Sequence, residues 1–263
     1  MRLGIAQTCP VFGERDRNLN EALDLLSREV ADLWVLPEFF ASGYQFARVE
    51  EVRDLAEPVP GGPTVLALAS FCRDRGCSVV AGLPEAADGV MYNSAVLVGP
   101  RGLTSVYRKI HLFGDEKRWF APGNLPFSVE DVGAARIGVM ICFDHFFPEA
   151  ARTLALLGAD ILAHPANLVI PGLAQRTMTV RALENGVFAA TANRVGEESR
   201  AEKALHYTGQ SQIVAPDGTA LVQLSPDHVE VGVAEVDPAA ARDKRLTSRN
   251  DKLGDRRPKF YRA

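Results

Sequence analysis

What most constrains the fold is an alternation: apolar strand-like runs take turns with segments of helical period, and the same order is used twice. LGIAQT from Leu3 reads as a strand, Leu19, Ala22, Leu23, Leu26 and Val30 recur at helical spacing, and LWVLP from Leu33 reads as the next buried strand. Thr64 is placed to cap a second helix with Leu66, Ala69 and Cys72 on one face, Gly76 to end it, and CSVVAGL to resume a strand. NSAVLV, the turn GPRG and LTSVYRK form a hairpin. After Asn124 the order returns as FSVEDV, RIGVMIC, a helix over 148–157, DILAHPA, a helix over 175–185 and VFAATAN. HYTGQSQIV and VGVAEV close it, with the turn APDG between them. Two halves with one grammar fit two sheets packed face to face with helices outside, in a single layered α/β domain over residues 1–263.

Size and charge limit what such a domain can do. With 263 residues, 47% of them hydrophobic, the chain buries about three quarters of its unfolded surface and needs no disulfide or metal to hold a core. The 29 basic and 33 acidic residues form no basic stripe, so nucleic acid is not an expected partner. No window reaches the roughly 20 apolar residues of a membrane span, and MRLGIAQTCP lacks a charged leader before an apolar run. A cytoplasmic protein without a membrane partner is expected. Cys9, Cys72, Cys77 and Cys142 have irregular spacing with no Cys-x-x-Cys pair, and His111 and His164 have no helical His partner, so no metal site is expected.

The chemistry-bearing residues gather where strands end, the usual place for reactive groups in α/β sheets. LWVLPEFF ends on Glu38, SVYRKIHLF places Lys109 after an alternating strand, and GVMICFD presents Cys142. A carboxylate, an ammonium and a thiol supply a base, a donor for developing negative charge and a nucleophile. Taken singly, each has a plainer reading: Cys142 as a small core residue, Glu38 and Lys109 as solvated charges. Asp144 and His145 beside Cys142 suggest a Cys-His-Asp triad, but sequence neighbours point apart and seldom form one.

The segments LPEFF, YRKIHLF and GVMICFDHFFPEAAR resemble, in content and order, the Glu, Lys and Cys motifs of the nitrilase superfamily of carbon-nitrogen hydrolases. GIAQ, PGG, YNSAVLV, FAPGN, HPAN, RALENGVF, GQSQIVAPDG and NDKLGDRRPKFY extend the likeness over nearly the whole chain. The resemblance implies a four-layer α-β-β-α sandwich, a triad of Glu38, Lys109 and Cys142, a second glutamate at Glu116, and no metal or organic cofactor. Glu116, in GDEKRW, otherwise reads as an exposed loop residue. Phe143, His145 and Asn167 are the substrate-binding candidates, with the Phe143 N–H as a partner for the oxyanion.

The implied activity is hydrolysis of a non-peptide carbon–nitrogen bond in a small aliphatic amide or N-carbamoyl compound through a thioester. Phe143-Asp144 sides with the amidases, while the longer run is also similar to archaeal-type aliphatic nitrilases, so a nitrile substrate is the alternative. A catalytically silent scaffold is the alternative of another class. Phe39, Phe40, Phe146 and Phe147 are expected to narrow the pocket, and Arg176 and Arg181 either bind a substrate carboxylate or, for Arg181, pair with Glu184. A homodimer or higher homo-oligomer is implied, with the helix after Cys142 and the helix holding Arg181 at the contact. The tail over 237–263, bearing Phe260 and Tyr261, is expected to dock on the partner subunit.

Overall fold

Two six-stranded sheets carry the architecture in the computed structural model, which describes residues 1–261. The first half runs β1 (Arg2–Gln7), α1 (Arg15–Leu26), β2 (Leu33–Val35), α2 (Val49–Leu55), α3 (Pro63–Arg75), β3 (Ser78–Ala87), β4 (Val90–Gly99), β5 (Gly102–Arg108) and α4 (Glu116–Trp119). The second runs β6 (Val129–Asp131), β7 (Arg136–Val139), a 3₁₀ turn (Cys142–Phe146), α5 (Pro148–Leu156), β8 (Ile161–Pro165), α6 (Leu173–Asn185) and β9 (Phe188–Ala192). Then come β10 (Glu197–Glu198), β11 (Leu205–His206), β12 (Gln212–Val214), β13 (Ala220–Gln223), β14 (Glu230–Glu235), β15 (Arg245–Thr247) and β16 (Asn250–Asp251).

The sheet orders are β14-β1-β2-β3-β4-β5 and β13-β12-β9-β8-β7-β6. Each has a parallel centre, β1-β2-β3 or β7-β8-β9, flanked by antiparallel strands. The repeat legible in the sequence is therefore a repeat of topology.

Side-chain alternation along the strands makes the layers. Leu3, Ile5, Leu33 and Val35 meet Ile137, Ile161 and Ile213 between the sheets. Ala6 and Trp34 face outward onto Leu19 and Leu26 of α1 and Leu68 of α3. On the far side Leu162 and Val214 pack under Leu154 of α5 and Met178 of α6. Central strands are thus buried on both faces, which is why they read as unbroken apolar runs. Each fully buried Leu or Ile contributes about 1.5–3 kcal/mol to this four-layer α-β-β-α sandwich. No helix among the described residues is long and apolar enough to cross a membrane.

Several local expectations need correction. Val30 lies beyond the end of α1 and is exposed, and Leu25 takes the buried place instead. In α3 the N-cap is Gly62 with Pro63 in the first turn, so Thr64 is no cap; its hydroxyl donates to Glu57. The buried face of α3 is Thr64, Val65, Leu68 and Cys72, leaving Leu66 exposed. Strand RIGVMIC stops at Val139, short of the cysteine, and HYTGQSQIV breaks at Gly209 and Gln210, both with left-handed φ, into β11 and β12.

Candidate active site

Glu38 leaves β2 through Leu36 and Pro37, whose backbone still pairs toward β3: Leu36 N–H donates to Val80 and Gly82 N–H to the Pro37 carbonyl. That approach is so close that a Cβ on Gly82 would lie 2.5 Å from the Glu38 Cα, so only glycine fits. Phe39 then turns the chain with φ +52°. The Glu38 carboxylate is fully buried; Oε1 accepts from Asn93 Nδ2 and Lys109 Nζ, both at 2.7 Å, and Oε2 has no partner among the described residues.

Lys109 follows β5. Its N–H donates to the Asn93 carbonyl and its own carbonyl accepts from Gly123 N–H, each at 2.8 Å. A side chain at Gly123 would collide with the Arg108 carbonyl, 2.0 Å from an added Cβ, which explains the glycine of FAPGN. The ammonium has three N–H donors. One goes to Glu38 and one, also at 2.7 Å, to Glu116 Oε1. Glu116, first residue of α4, is buried rather than solvated: Tyr44 hydroxyl donates to Oε1 at 2.6 Å and Phe113 N–H to Oε2 at 3.1 Å.

Cys142 stands on a sharp elbow. Met140 N–H still pairs with Ala163 of β8, Ile141 is extended, and Cys142 has φ +41°, opening the 3₁₀ turn that leads to Pro148 at the first position of α5. Left-handed φ in a non-glycine residue is strained and persists only when its surroundings fix it. Asp144 supplies part of that fixing: its carboxylate accepts from Ile141 N–H at 2.9 Å, Tyr107 hydroxyl at 2.7 Å and the His111 ring at 2.7 Å. His164 supplies the rest, with Nε2 at 2.9 Å from the Cys142 carbonyl and Nδ1 at 3.0 Å from Thr191 Oγ1. Burial lowers the His164 pKa to about 3, so the ring is neutral and donates through Nε2 to the carbonyl. The sulfur sits 3.8 Å from the Asn167 carbonyl, while Asn167 Nδ2 donates to the Glu38 carbonyl at 2.8 Å and so ties the two sheets together at the site.

Burial dominates the electrostatics. It raises the Glu38 carboxyl above its ordinary range, with Lys109 opposing. It raises the Cys142 thiol well above its ordinary value, and the negative Glu38 adds to the effect. For Lys109 burial pulls downward, but Glu116 and Glu38 outweigh it and keep the ammonium charged. The resting thiol is therefore protonated, with a cation and two carboxyl groups gathered beside it.

A hollow of about 190 Å³ opens on Cys142, lined by Phe113, Phe143, His145, Phe146, Asn167, Leu168, Val169, Ile170, Leu173 and Ala174. A larger one of about 370 Å³ reaches Glu116 and Tyr44 but not the sulfur. Of the two, the smaller holds the Cys142 sulfur.

The three residues at the strand ends and Glu116 are thus brought together, and Phe143, His145 and Asn167 line the hollow. The aromatic expectations fare worse. Phe39 packs on Phe46 and Phe120, Phe40 is buried under α1 and α3, and Phe147 stacks on His111 at 3.7 Å, so only Phe146 faces the hollow. Arg181 pairs with Glu184 at 2.9 Å and donates to the His145 carbonyl at 3.1 Å. Tyr44, Asn93, Tyr107 and His164 belong to the site beyond the residues expected from sequence; for two of them the signal is a polar residue inside an apolar strand, as in NSAVLV and ILAHP.

Comparison with known proteins supplies independent findings. The carbon-nitrogen hydrolase family profile matches residues 2–245. The chain is 48% identical over 264 residues to a protein named nitrilase from Pyrococcus abyssi, with 99% of each covered. A solved carbon-nitrogen hydrolase from Helicobacter pylori G27 superposes with TM-score 0.89 at 27% identity, covering 99% of this chain and 96% of that one. A mutant amidase from Nesterenkonia sp. AN1, carrying acrylamide added to its active-site cysteine, superposes with TM-score 0.78 at 27% identity, covering 93% and 96%.

Proposed function

The chain belongs to the carbon-nitrogen hydrolase family, and from that premise we propose that it hydrolyses small uncharged carboxamides through a thioester on Cys142. The observation that carries the reading is the uneven engagement of Glu38: both donors crowd Oε1 while buried Oε2 has none among the described residues. A buried acceptor without a partner is costly, and a thiol proton is a suitable partner.

As Sγ attacks the amide carbon, Glu38 takes the thiol proton, the C=O π pair moves to oxygen, and a tetrahedral intermediate forms. Two donors serve that oxyanion: the third N–H of Lys109 and the Phe143 N–H at the elbow. Glu38 then gives its proton to nitrogen, the C–N bond breaks and ammonia or an amine leaves. Glu38 next deprotonates water, whose oxygen attacks the thioester; collapse frees the acid, and the sulfur recovers a proton. Glu116 counters the charge of Lys109 and fixes its direction.

The substrate class follows from the walls. Leu168, Val169, Ile170, Leu173 and Phe146 offer no charge, His145 is held neutral by burial with its pKa near 4, and Arg181 is already engaged. A carboxylate or ammonium on the acyl chain would lose its hydration there without gaining a partner. The nitrilase name of the Pyrococcus abyssi relative favours a second reading, in which the same thiol adds to a nitrile carbon to give a thioimidate.

Ammonia release from butyramide, hexanamide, succinamate, butylurea and butyronitrile tests both. Butyramide and hexanamide should turn over, with succinamate poorer by about 100-fold or more in kcat/KM. Turnover of butyronitrile alone would establish the second reading, and no release from any of the five, with Cys142 unmodified by mass spectrometry, would end both.

The same reading covers organisation and assembly. Residues 1–263 act as one domain, which the pairing of β14 with β1 supports, in a cytoplasmic homodimer joined through α5 and α6. Supporting the dimer, Leu156, Val180 and Leu183 are exposed on those helices, as is Leu157 at the end of α5, and Phe260 and Tyr261 are exposed in the tail. Tyr261 shares a hollow with Glu149 and Arg152 of α5, so the tail already lies along that face of its own chain; residues 262–263 fall outside the described residues.

A further inference from the structure

Away from the sulfur, a second buried ionic group has no part in the chemistry described above. Glu198 in β10 is buried and paired with buried Arg194, whose guanidinium lies 4.0 Å over the Tyr207 ring and donates to the Pro10 carbonyl at 3.1 Å. The Glu198 carboxylate also accepts from Tyr207 hydroxyl at 3.2 Å, from Tyr44 N–H at 3.1 Å and from Gln45 N–H at 2.6 Å. Two of these donors are consecutive amides of the loop after Glu38. That loop is pressed onto the carboxylate: Gly43 has φ +80°, and a Cβ there would lie 3.0 Å from Glu198 Oε1 and 2.8 Å from the Phe12 Cα. The Gln45 side chain fastens the other side, donating to the Lys203 carbonyl and accepting from Arg200 N–H, both at 2.6 Å.

The loop so held delivers one polar group to the site. Tyr44 hydroxyl donates at 2.6 Å to the same Glu116 oxygen that accepts Lys109 Nζ at 2.7 Å. We propose that Glu198 is a positioning residue for the hydrolysis, gripping the Tyr44–Gln45 amides so that Tyr44 fixes Glu116 and, through it, the direction of Lys109. The proposal rests on the hydrolase reading above, because Lys109 is there the donor to the oxyanion. Burial and the nearby carboxylates keep the Tyr44 phenol protonated, so it serves as a lasting donor. A carboxylate that accepts from a phenol and an ammonium on one oxygen has little freedom to rotate, and a donor misplaced by an ångström costs as much as 100-fold in rate.

The test compares wild type, Tyr44→Phe, Glu198→Gln and the double variant with butyramide, and follows alkylation of Cys142 by iodoacetamide in parallel. Each single change should lower kcat by about 10- to 100-fold with KM nearly constant, and the double should be no worse than the poorer single, since both act along one path. Glu198→Gln leaves Arg194 buried without its counter-charge and can prevent folding. In that event Glu198→Asp, which keeps the charge but shortens the reach to the two amides, gives the same reading. Wild-type kcat in Tyr44→Phe, or additive losses in the double variant, would overturn the proposal. If wild type turns over no amide while the variants still slow Cys142 alkylation, the hydrolase reading fails and the grip of Glu198 on Tyr44, with its effect on the site, stands; unchanged alkylation and unchanged turnover would remove that grip alone.

Discussion

Single ionisable groups set the pH behaviour. A protonated Glu38 cannot receive the thiol proton, and burial has raised its pKa above the ordinary 4.5, so activity should fall on the acid side at a pH above that value. Lys109, Tyr44 and Cys142 are all held above their ordinary ranges, so no group of the site loses a needed proton in mildly alkaline solution. The kcat/KM profile should therefore rise to a plateau that persists to about pH 9. Glu38→Gln should lower kcat by about two to four orders of magnitude and abolish the acid limb; a falling alkaline limb below pH 9, or a Gln variant with the wild-type profile, would contradict this. At this scale the sequence was informative where a reactive side chain follows a strand within three residues, as Glu38, Lys109 and Cys142 do. Glu116 was legible only by resemblance, because its neighbours Asp115, Lys117 and Arg118 are charged and the one buried carboxylate among them has no local mark. Tyr44 left no trace at all, since its place depends on a grip from Glu198, 154 residues further on.

Among the elements, the elbow matters most. Its strain is balanced by Asp144 and His164, one from within the turn and one from β8, so the sulfur's position is a property of strand and turn together. Asp144→Asn keeps the shape but turns one acceptor of buried donors into a donor, and stability should fall by about 1–3 kcal/mol, read by urea unfolding. Turnover should fall with it, measured well below the unfolding midpoint; an Asn variant as stable as wild type would mean that the carboxylate does not hold the turn. Helical spacing located α1, α3, α5 and α6 but not always their inner faces. Leu66 fits the period and faces solvent because the sheet lies under Val65 and Leu68 instead, a choice made by packing. The seven residues of α2, VEEVRDL, are too short and charged to announce a helix, and only Val52 is buried.

For the whole molecule, assembly is the open quantity. The apolar residues left outside on α5, α6 and the tail form the kind of surface that a monomer rarely keeps bare. Light scattering at micromolar concentration should give a dimer for the intact chain and a weaker one for a chain ending after Leu253; a monomer in the intact form would sink the interface. The layered fold itself was legible because both halves repeat one order of elements, whereas strand order was not, since nothing in the first strand shows that its neighbour is β14. One further consequence concerns synthesis. The candidate site straddles the sheets: Glu38 and Lys109 come from the first, Cys142 and Asn167 from the second, and Asn167 binds one to the other. On the ribosome the thiol emerges before β8, β9 and β14 have been made. A nascent chain at that point has made Glu38 and Lys109 but not Asn167, the wall from Leu168 to Ala174 or most of the second sheet, so nothing yet holds the thiol against its base and donor, and the hydrolase gains its reactivity only when translation is nearly finished.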